Sequence, residues 1–419
     1  MYDLELLGKK AKTAQKEILA LSIEKINEAL ILAGKYLIEN KEFIKTANEK
    51  DVLVAKEKGT SPAFIDRLTL TDNVILGMAN GLNKIATAPS PLKKVVYEYE
   101  NKAQDIKIKK ITVPFGVVGI IYESRPNVTA DAFGLCFKSG NVTVLKGGSD
   151  AINSNKAVVS VIKKALKDVG VTENAVMLIE DVSRETTNRF MKLNEYIDLL
   201  IPRGGKSLIQ NALNNATVPI IETGTGNCHI YVDEFADIEM AVNVIYNAKT
   251  QRYGVCNACE SLVIHEKVLE KSLPLIANRL KEKQIEIRAD EISYNVIKDY
   301  PYLVKATKED FYTEYCDAII SVKVVNSLES AIAHINEHST GHSESIITTS
   351  EKNAEIFMNL IDSSSVYHNA STRFSDGEIF GLGAEVGIST QKLHARGPMG
   401  TEALVTTKFL VVGNGSVRK

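Results

Sequence analysis

The chain has 419 residues, 44 % of them hydrophobic and 24 % charged, with a formal net charge of -2. That length exceeds what one core supports and points to two or three domains. The near-neutral balance gives no electrostatic case for nucleic acid or a membrane surface, and no apolar run is long enough to span a bilayer.

The start, Met1-Tyr2-Asp3-Leu4-Glu5, lacks a charged segment followed by an apolar one, so no secretory signal is expected. Leu4, Leu7, Ala11, Ala14, Ile18 and Leu21 recur at helical spacing, and Ile26, Leu30, Ala33, Leu37 and Ile38 repeat the pattern. Ser61-Pro62 predicts a further helix start, and Ala88-Pro89-Ser90-Pro91 closes the helical region. Tyr97 to Val113 alternates β-branched with polar residues and predicts an extended hairpin standing off the main body. From Gly116 apolar strands alternate with amphipathic helices. Strands are expected at Val117–Tyr122, Asn141–Lys146, Ala175–Ile179, Ile197–Ile201 and Val218–Glu222, and Ser149 is expected to cap the helix that reaches Asp168. This pattern predicts a parallel α/β sheet covered on both faces, with ligands beyond the carboxyl ends of its strands, where Gly147-Gly148 and Gly204-Gly205 fall. The G-x-G-x-x-G fingerprint is missing, so the architecture but not the motif agrees with dinucleotide binding. A second α/β region begins after Gly226, and Leu404 to Val412 reads as a terminal strand able to pair with the hairpin.

The chemistry concentrates in Gln251-Arg252-Tyr253-Gly254-Val255-Cys256-Asn257-Ala258-Cys259, between a helix from Asp237 to Lys249 and a strand from Ser261 to His265. A thiol at such a junction is reachable and fixed, as a nucleophile must be; the alternative is a buried structural cysteine. Cys256 and Cys259 form a C-x-x-C with no second Cys or His pair, so no metal is expected. Five scattered cysteines suit a reduced, cytoplasmic protein. Asn127, beyond a strand end, is an oxyanion donor or a helix cap. Lys146 suits a ribose or phosphate contact or is a solvated lysine, and Arg125, Arg203 and Arg396 are anion clamps or surface ion pairs.

Together, Gln251-Arg252, Val255 to Ala258, Tyr122-Glu123, Arg125 to Val128, Leu145 to Gly148, Ile201 to Gly205, Ile221 to Gly224 and Leu393 to Gly400 resemble the γ-glutamyl phosphate reductases of the aldehyde dehydrogenase superfamily, collinearly along essentially the whole chain. The resemblance implies an aldehyde dehydrogenase-like fold. An NADP-binding domain would span 1–96 and 114–226, a catalytic domain 227–400, and an oligomerisation ribbon with its terminal strand 97–113 and 401–419. It implies NADPH-dependent reduction of L-glutamyl 5-phosphate to glutamate 5-semialdehyde and phosphate through a cysteine thioester, a step of proline biosynthesis. By position it makes Cys256 the nucleophile, Asn127 the oxyanion donor and Glu222 the general-base position of hydrolytic relatives. Lys146, Ser149, Gly204, Gly205 and Glu314 become cofactor residues, and Arg125, Arg203 and Arg396 remain unranked for substrate or phosphate. Ser149 stands where many superfamily members carry an acidic residue that binds ribose hydroxyls. A dimer or tetramer is implied, with glutamate 5-kinase as the enzyme that would feed the labile substrate. Other readings are a hydrolytic or coenzyme A-acylating member of the superfamily, or a non-catalytic scaffold.

Overall fold

A computed structural model describes residues 2–418 and divides into two compact units, Met1–Thr223 with Gly381–Gly387 and Met399–Lys419, and Gly224–Phe380 with Ile388–Pro398. The first unit opens with helices α1 (Leu4–Leu19), α2 (Ile23–Glu39), α3 (Lys41–Glu57), α4 (Pro62–Leu68) and α5 (Asp72–Thr87). Asp3, Ser22, Ser61 and Thr71 each accept a first-turn amide of the helix they precede, which satisfies donors the helix leaves open. The apolar stripe of α1 is buried at Leu4, Leu7, Ala11, Ala14 and Ile18, and that of α2 at Ile26, Leu30, Ala33 and Leu37, as their spacing requires. Ile38 departs from this and stays exposed.

The chain continues as β1 (Val95–Asn101), β2 (Ile106–Pro114), β3 (Val117–Tyr122), α6 (Val128–Lys138), β4 (Val142–Gly147), α7 (Ile152–Asp168), β5 (Val176–Leu178), α8 (Arg184–Phe190), β6 (Leu199–Arg203) and α9 (Lys206–Asn215). A parallel sheet of order β5-β4-β3-β6 forms, with β3 and β4 buried along their whole length. Burial on both faces is why these strands read as unbroken apolar runs.

Two expectations fail here. Val218–Glu222 is not a strand of this sheet: it makes one bridge, Leu200 to Ile220. Pro219 has no amide hydrogen, so the run cannot extend a ladder on both sides. Ser149 does not cap α7, whose N-cap residue is Ala151. The cap comes from α3: the buried Asp51 carboxylate accepts the amides of Asn153 at 3.3 Å and Ser154 at 2.8 Å, together with the Ser154 hydroxyl at 2.6 Å. An acidic partner at a helix start is worth about 1 kcal/mol.

The second unit contains β7 (Cys228–Val232), α10 (Ile238–Thr250), β8 (Cys259–His265), α11 (Glu266–Lys281), β9 (Glu286–Ala289), α12 (Glu291–Val296), β10 (Leu303–Lys305), β11 (Ile319–Val325), α13 (Leu328–His338), β12 (Ser343–Ile347), α14 (Glu351–Leu360), β13 (Ser365–His368) and the short pair β14 (Ile388–Ser389) and β15 (Gly397–Pro398). Its parallel sheet runs β10-β9-β11-β8-β7-β12-β13, so β8, the strand leaving the Cys256 turn, is central. Ile230, Val232, Leu262, Ile264, Ile320 and Val322 from the inner strands pack with Leu269, Leu273 and Ile276 of α11 in one apolar core.

The last strand, β16 (Val405–Gly413), belongs to the first unit and pairs antiparallel with β2 along its length, while β2 pairs with β1. Glu98 lies opposite Lys109 and the two form an ion pair of 3.0 Å, which favours this register. Tyr97, Tyr99, Phe409, Val411 and Val412 on this ribbon are exposed.

Candidate active site

In the second unit the chemistry gathers at the amino ends of the central strands. Cys256 lies in the turn between α10 and β8 and is partly exposed. Cys228 and Cys259 are completely buried. Burial pushes the Cys259 thiol up to about 12 and holds Cys228 well above the usual thiol range, so both stay protonated at neutral pH.

The turn is braced from several directions. The Cys228 thiol donates to the Cys256 carbonyl at 3.1 Å. Gly226 packs so closely that a β-carbon there would sit 1.5 Å from the Cys256 carbonyl oxygen. Glu314, before β11, accepts the Gly226 amide at 2.8 Å. At the ends of the flanking elements Lys249 and Glu260 form a buried ion pair of 2.7 Å, and the second Glu260 oxygen accepts the Cys316 amide at 3.2 Å. Burial still pushes the Glu260 carboxyl up to about 7, against the pull of Lys249.

A segment far along the chain is stapled to the residue after the nucleophile candidate. Asn257 donates to the Ser375 carbonyl at 2.9 Å, and the Thr372 hydroxyl donates to the Asn257 carbonyl at 2.8 Å. Between them lies Arg373, whose Nε donates to Gln251 at 2.8 Å. Burial pulls its guanidinium below the usual range, and charge on Cys256 acts in the opposite direction. Arg396 is committed elsewhere: its Nη2 donates to the Asp362 carboxylate at 2.9 Å and to the Asp362 carbonyl at 3.1 Å.

In the first unit a cavity of about 810 Å³ opens beyond the carboxyl ends of the strands. Lys146, Ser149, Asp150, Glu123 and Arg184 bring charge and hydroxyl groups to its wall. Lys146 Nζ donates to the Gly147 carbonyl at 3.1 Å, and burial lowers its affinity for the proton. Burial raises the Glu123 carboxyl, and the Arg184 guanidinium on the same wall pulls it the other way. Gly205 is the N-cap residue of α9, and Ser207 and Leu208 of that helix line the cavity. A β-carbon on Gly204 would meet the ends of the Leu208 and Glu123 side chains at 2.7 and 2.8 Å, so a larger residue there would displace them. The cavity's size and its Lys146, Arg184 and Ser149 suit the adenosine phosphate end of a dinucleotide.

Asn127, at the start of α6, makes no side-chain cap bond to its helix and donates to Asp131 at 3.3 Å. Burial pushes the Asp131 carboxyl up to about 6, with Asn127 and Arg203 pulling the other way. Arg203 ends β6 with its buried Nε unpaired, while Arg125 and Glu222 are half-buried. Sequence reasoning thus brought Cys256 and Glu314 into one unit and Lys146 and Ser149 to one cavity, and missed Arg184 and Arg373. Arg373 is visible in the sequence only as one basic residue of the loop-rich stretch Asn369 to Gly400, and Arg184 lies in no motif.

The aldehyde dehydrogenase family model matches residues 3–294. The gamma-glutamyl phosphate reductase of Lachnospira eligens is 54 % identical over 419 residues, and that of Clostridium botulinum Alaska E43 is 51 % identical over 418, in each case across all of both chains. The crystal structure of the gamma-glutamyl phosphate reductase of Thermotoga maritima superposes with a TM-score of 0.96 at 45 % identity, covering all of both chains. An acetylating aldehyde dehydrogenase from Geobacillus thermoglucosidasius shares the fold, with a TM-score of 0.72 at 18 % identity over 100 % of this chain and 98 % of its own.

Proposed function

Because the chain belongs to the aldehyde dehydrogenase family, and within it to the gamma-glutamyl phosphate reductases, we propose that it reduces L-glutamyl 5-phosphate to glutamate 5-semialdehyde with NADPH, in proline biosynthesis and in the cytoplasm. The observation that carries this reading is the partly exposed Cys256 at the amino end of the central strand, beside two thiols that burial keeps inert.

Cys256 attacks the acyl phosphate: the S–C bond forms, the C–O bond to the phosphoryl group breaks, and phosphate leaves with the bonding pair. Asn127 and the Cys256 amide are the proposed donors to the oxyanion. NADPH, when bound, supplies the hydride that reduces the thioester. The tetrahedral adduct collapses, the aldehyde departs, and the thiolate returns. Lys146 and Ser149 hold the adenosine ribose, with Gly204 and Gly205 shaping the neighbouring turn, and Glu314 holds the nicotinamide ribose. Glu222, which would activate water in a hydrolytic enzyme, must be kept from doing so if the thioester is to survive. Arg125 and Arg203 remain candidates for the substrate's carboxylate, whereas Arg396 is held by Asp362.

Arg184 with Ser149 supports the choice of NADPH. A guanidinium and a hydroxyl on the cavity wall suit a 2′-phosphate, where a carboxylate in place of Ser149 would repel it. Asp150 and Glu123 on the same wall make Arg184 the more necessary. The test is NADP+ against NAD+ reduction by glutamate 5-semialdehyde and phosphate. NADP+ is expected to be preferred, and Ser149→Glu and Arg184→Ala each to move the preference toward NAD+. Equal kcat/KM for the two cofactors in the unmutated enzyme would defeat the assignment.

A further inference from the structure

We infer that Arg373 is the phosphate-binding residue of the active site. The inference rests on the function proposed above and names the subsite at which its phosphoryl group is held.

The geometry is local to the second unit. Arg373 sits in a short turn, Thr372–Phe374, tied on both sides to Asn257, the residue that follows Cys256. Its Nε is fixed by Gln251, which belongs to the same turn as Cys256. Among the described residues this is the side chain's one hydrogen bond, so both terminal nitrogens are left to a ligand. The anchoring sets the plane of the fork before any ligand arrives, and a preset guanidinium binds the oxygens of a phosphoryl group in pairs.

Substrate chemistry selects which anion Arg373 meets. The phosphoryl oxygen is bonded to the carbon that Cys256 attacks, so the phosphoryl group must lie beside the sulfur. The α-carboxylate lies several bonds away along the glutamyl chain. An arginine stapled to Cys256's own neighbour therefore meets the phosphoryl end. The electrostatic coupling between Arg373 and Cys256 agrees with this placement. Arg396 gives its Nη2 to Asp362, and Lys392 competes for the same carboxylate. In the reductive direction Arg373 stabilises the departing phosphate. In the oxidative direction it holds phosphate against the thioester carbon, where a phosphate oxygen bonds to carbon and the C–S bond breaks.

The experiment uses the full chain and inorganic phosphate. Two readouts are taken for the unmutated enzyme, Arg373→Ala and Arg373→Lys. The first is the KM for phosphate in NADP+ reduction by glutamate 5-semialdehyde. The second, independent of turnover, is how far phosphate slows alkylation of Cys256 by iodoacetamide. Arg373→Ala is expected to raise the phosphate KM about 10- to 100-fold, as loss of a charge-assisted contact does, with the semialdehyde KM nearly unchanged and phosphate protection lost. Arg373→Lys, which keeps the charge without the fork, is expected to fall between and guards against a folding defect in the alanine variant. Unchanged phosphate KM and retained protection in both variants would overturn the inference while leaving the reductase reading intact. An unmutated enzyme with neither phosphate dependence nor protection would overturn that reading itself.

Discussion

Among the cysteines near the turn, burial separates the roles. Cys259 lies three residues after Cys256 but already begins β8 and joins the apolar core, where its thiol is pushed up to about 12. A thiol that stays protonated is a poor nucleophile. Cys256→Ala is expected to lower turnover at least about a thousandfold, as loss of a covalent nucleophile does. Cys259→Ala is expected to keep most of the activity and to cost about 1 kcal/mol of stability, for a small group removed from the core. Initial rates and thermal melts on both variants decide it, and an inactive Cys259→Ala beside an active Cys256→Ala would reverse the assignment. Cys256 was legible from the sequence because its whole motif is contiguous. Arg373 was not, because it lies more than a hundred residues later and only the staples to Asn257 bring it back.

At the level of elements, apolar periodicity located most helices and strands, and the errors came where a partner is distant or a donor is missing. The start of α7 showed Ser149 as the nearest capping side chain, whereas the fold supplies Asp51 from α3 and leaves Ser149 on the cavity wall. Val218–Glu222 looked like a strand by composition, but Pro219 reduces it to a single bridge. Close approach of backbones is another thing one sequence does not display. Gly226 gives no sign in the sequence of what it touches, yet a β-carbon there would lie 1.5 Å from the Cys256 carbonyl oxygen and 2.3 Å from its carbon. Backbone cannot rotate away as a side chain can. Gly226→Ala is therefore expected to displace the turn and lower kcat about 100-fold, the cost of misplacing a reacting group by about an ångström. Binding of 2′,5′-ADP, a fragment that needs only the cavity of the other unit, should persist. Wild-type kcat in this variant would show that the turn tolerates displacement.

For the molecule as a whole, the ribbon is the feature least explained by the chain alone. Among the described residues β16 leaves one edge unpaired, and Phe409, Val411 and Val412 on it, with Tyr97 on β1, are exposed. Edges and apolar ribbons of this kind are covered by a second copy in stable homo-oligomers. Removing residues 405–419 is expected to lower the mass seen by light scattering to that of a monomer or to cause aggregation. A full-length chain that is already monomeric would contradict the expectation. No helix among the described residues is long and apolar enough to cross a membrane.

Cys256 is proposed to form a thioester whose competent acceptor is phosphate rather than water. The most direct measurement is the initial rate of NADP+ reduction by glutamate 5-semialdehyde against phosphate concentration, with arsenate as a second acceptor and Glu222→Gln alongside. The expected result is a slight rate without either anion, a saturable rise with each, and little change in Glu222→Gln. A rate that is high without phosphate or arsenate, and that disappears in Glu222→Gln, would instead mark a hydrolytic dehydrogenase.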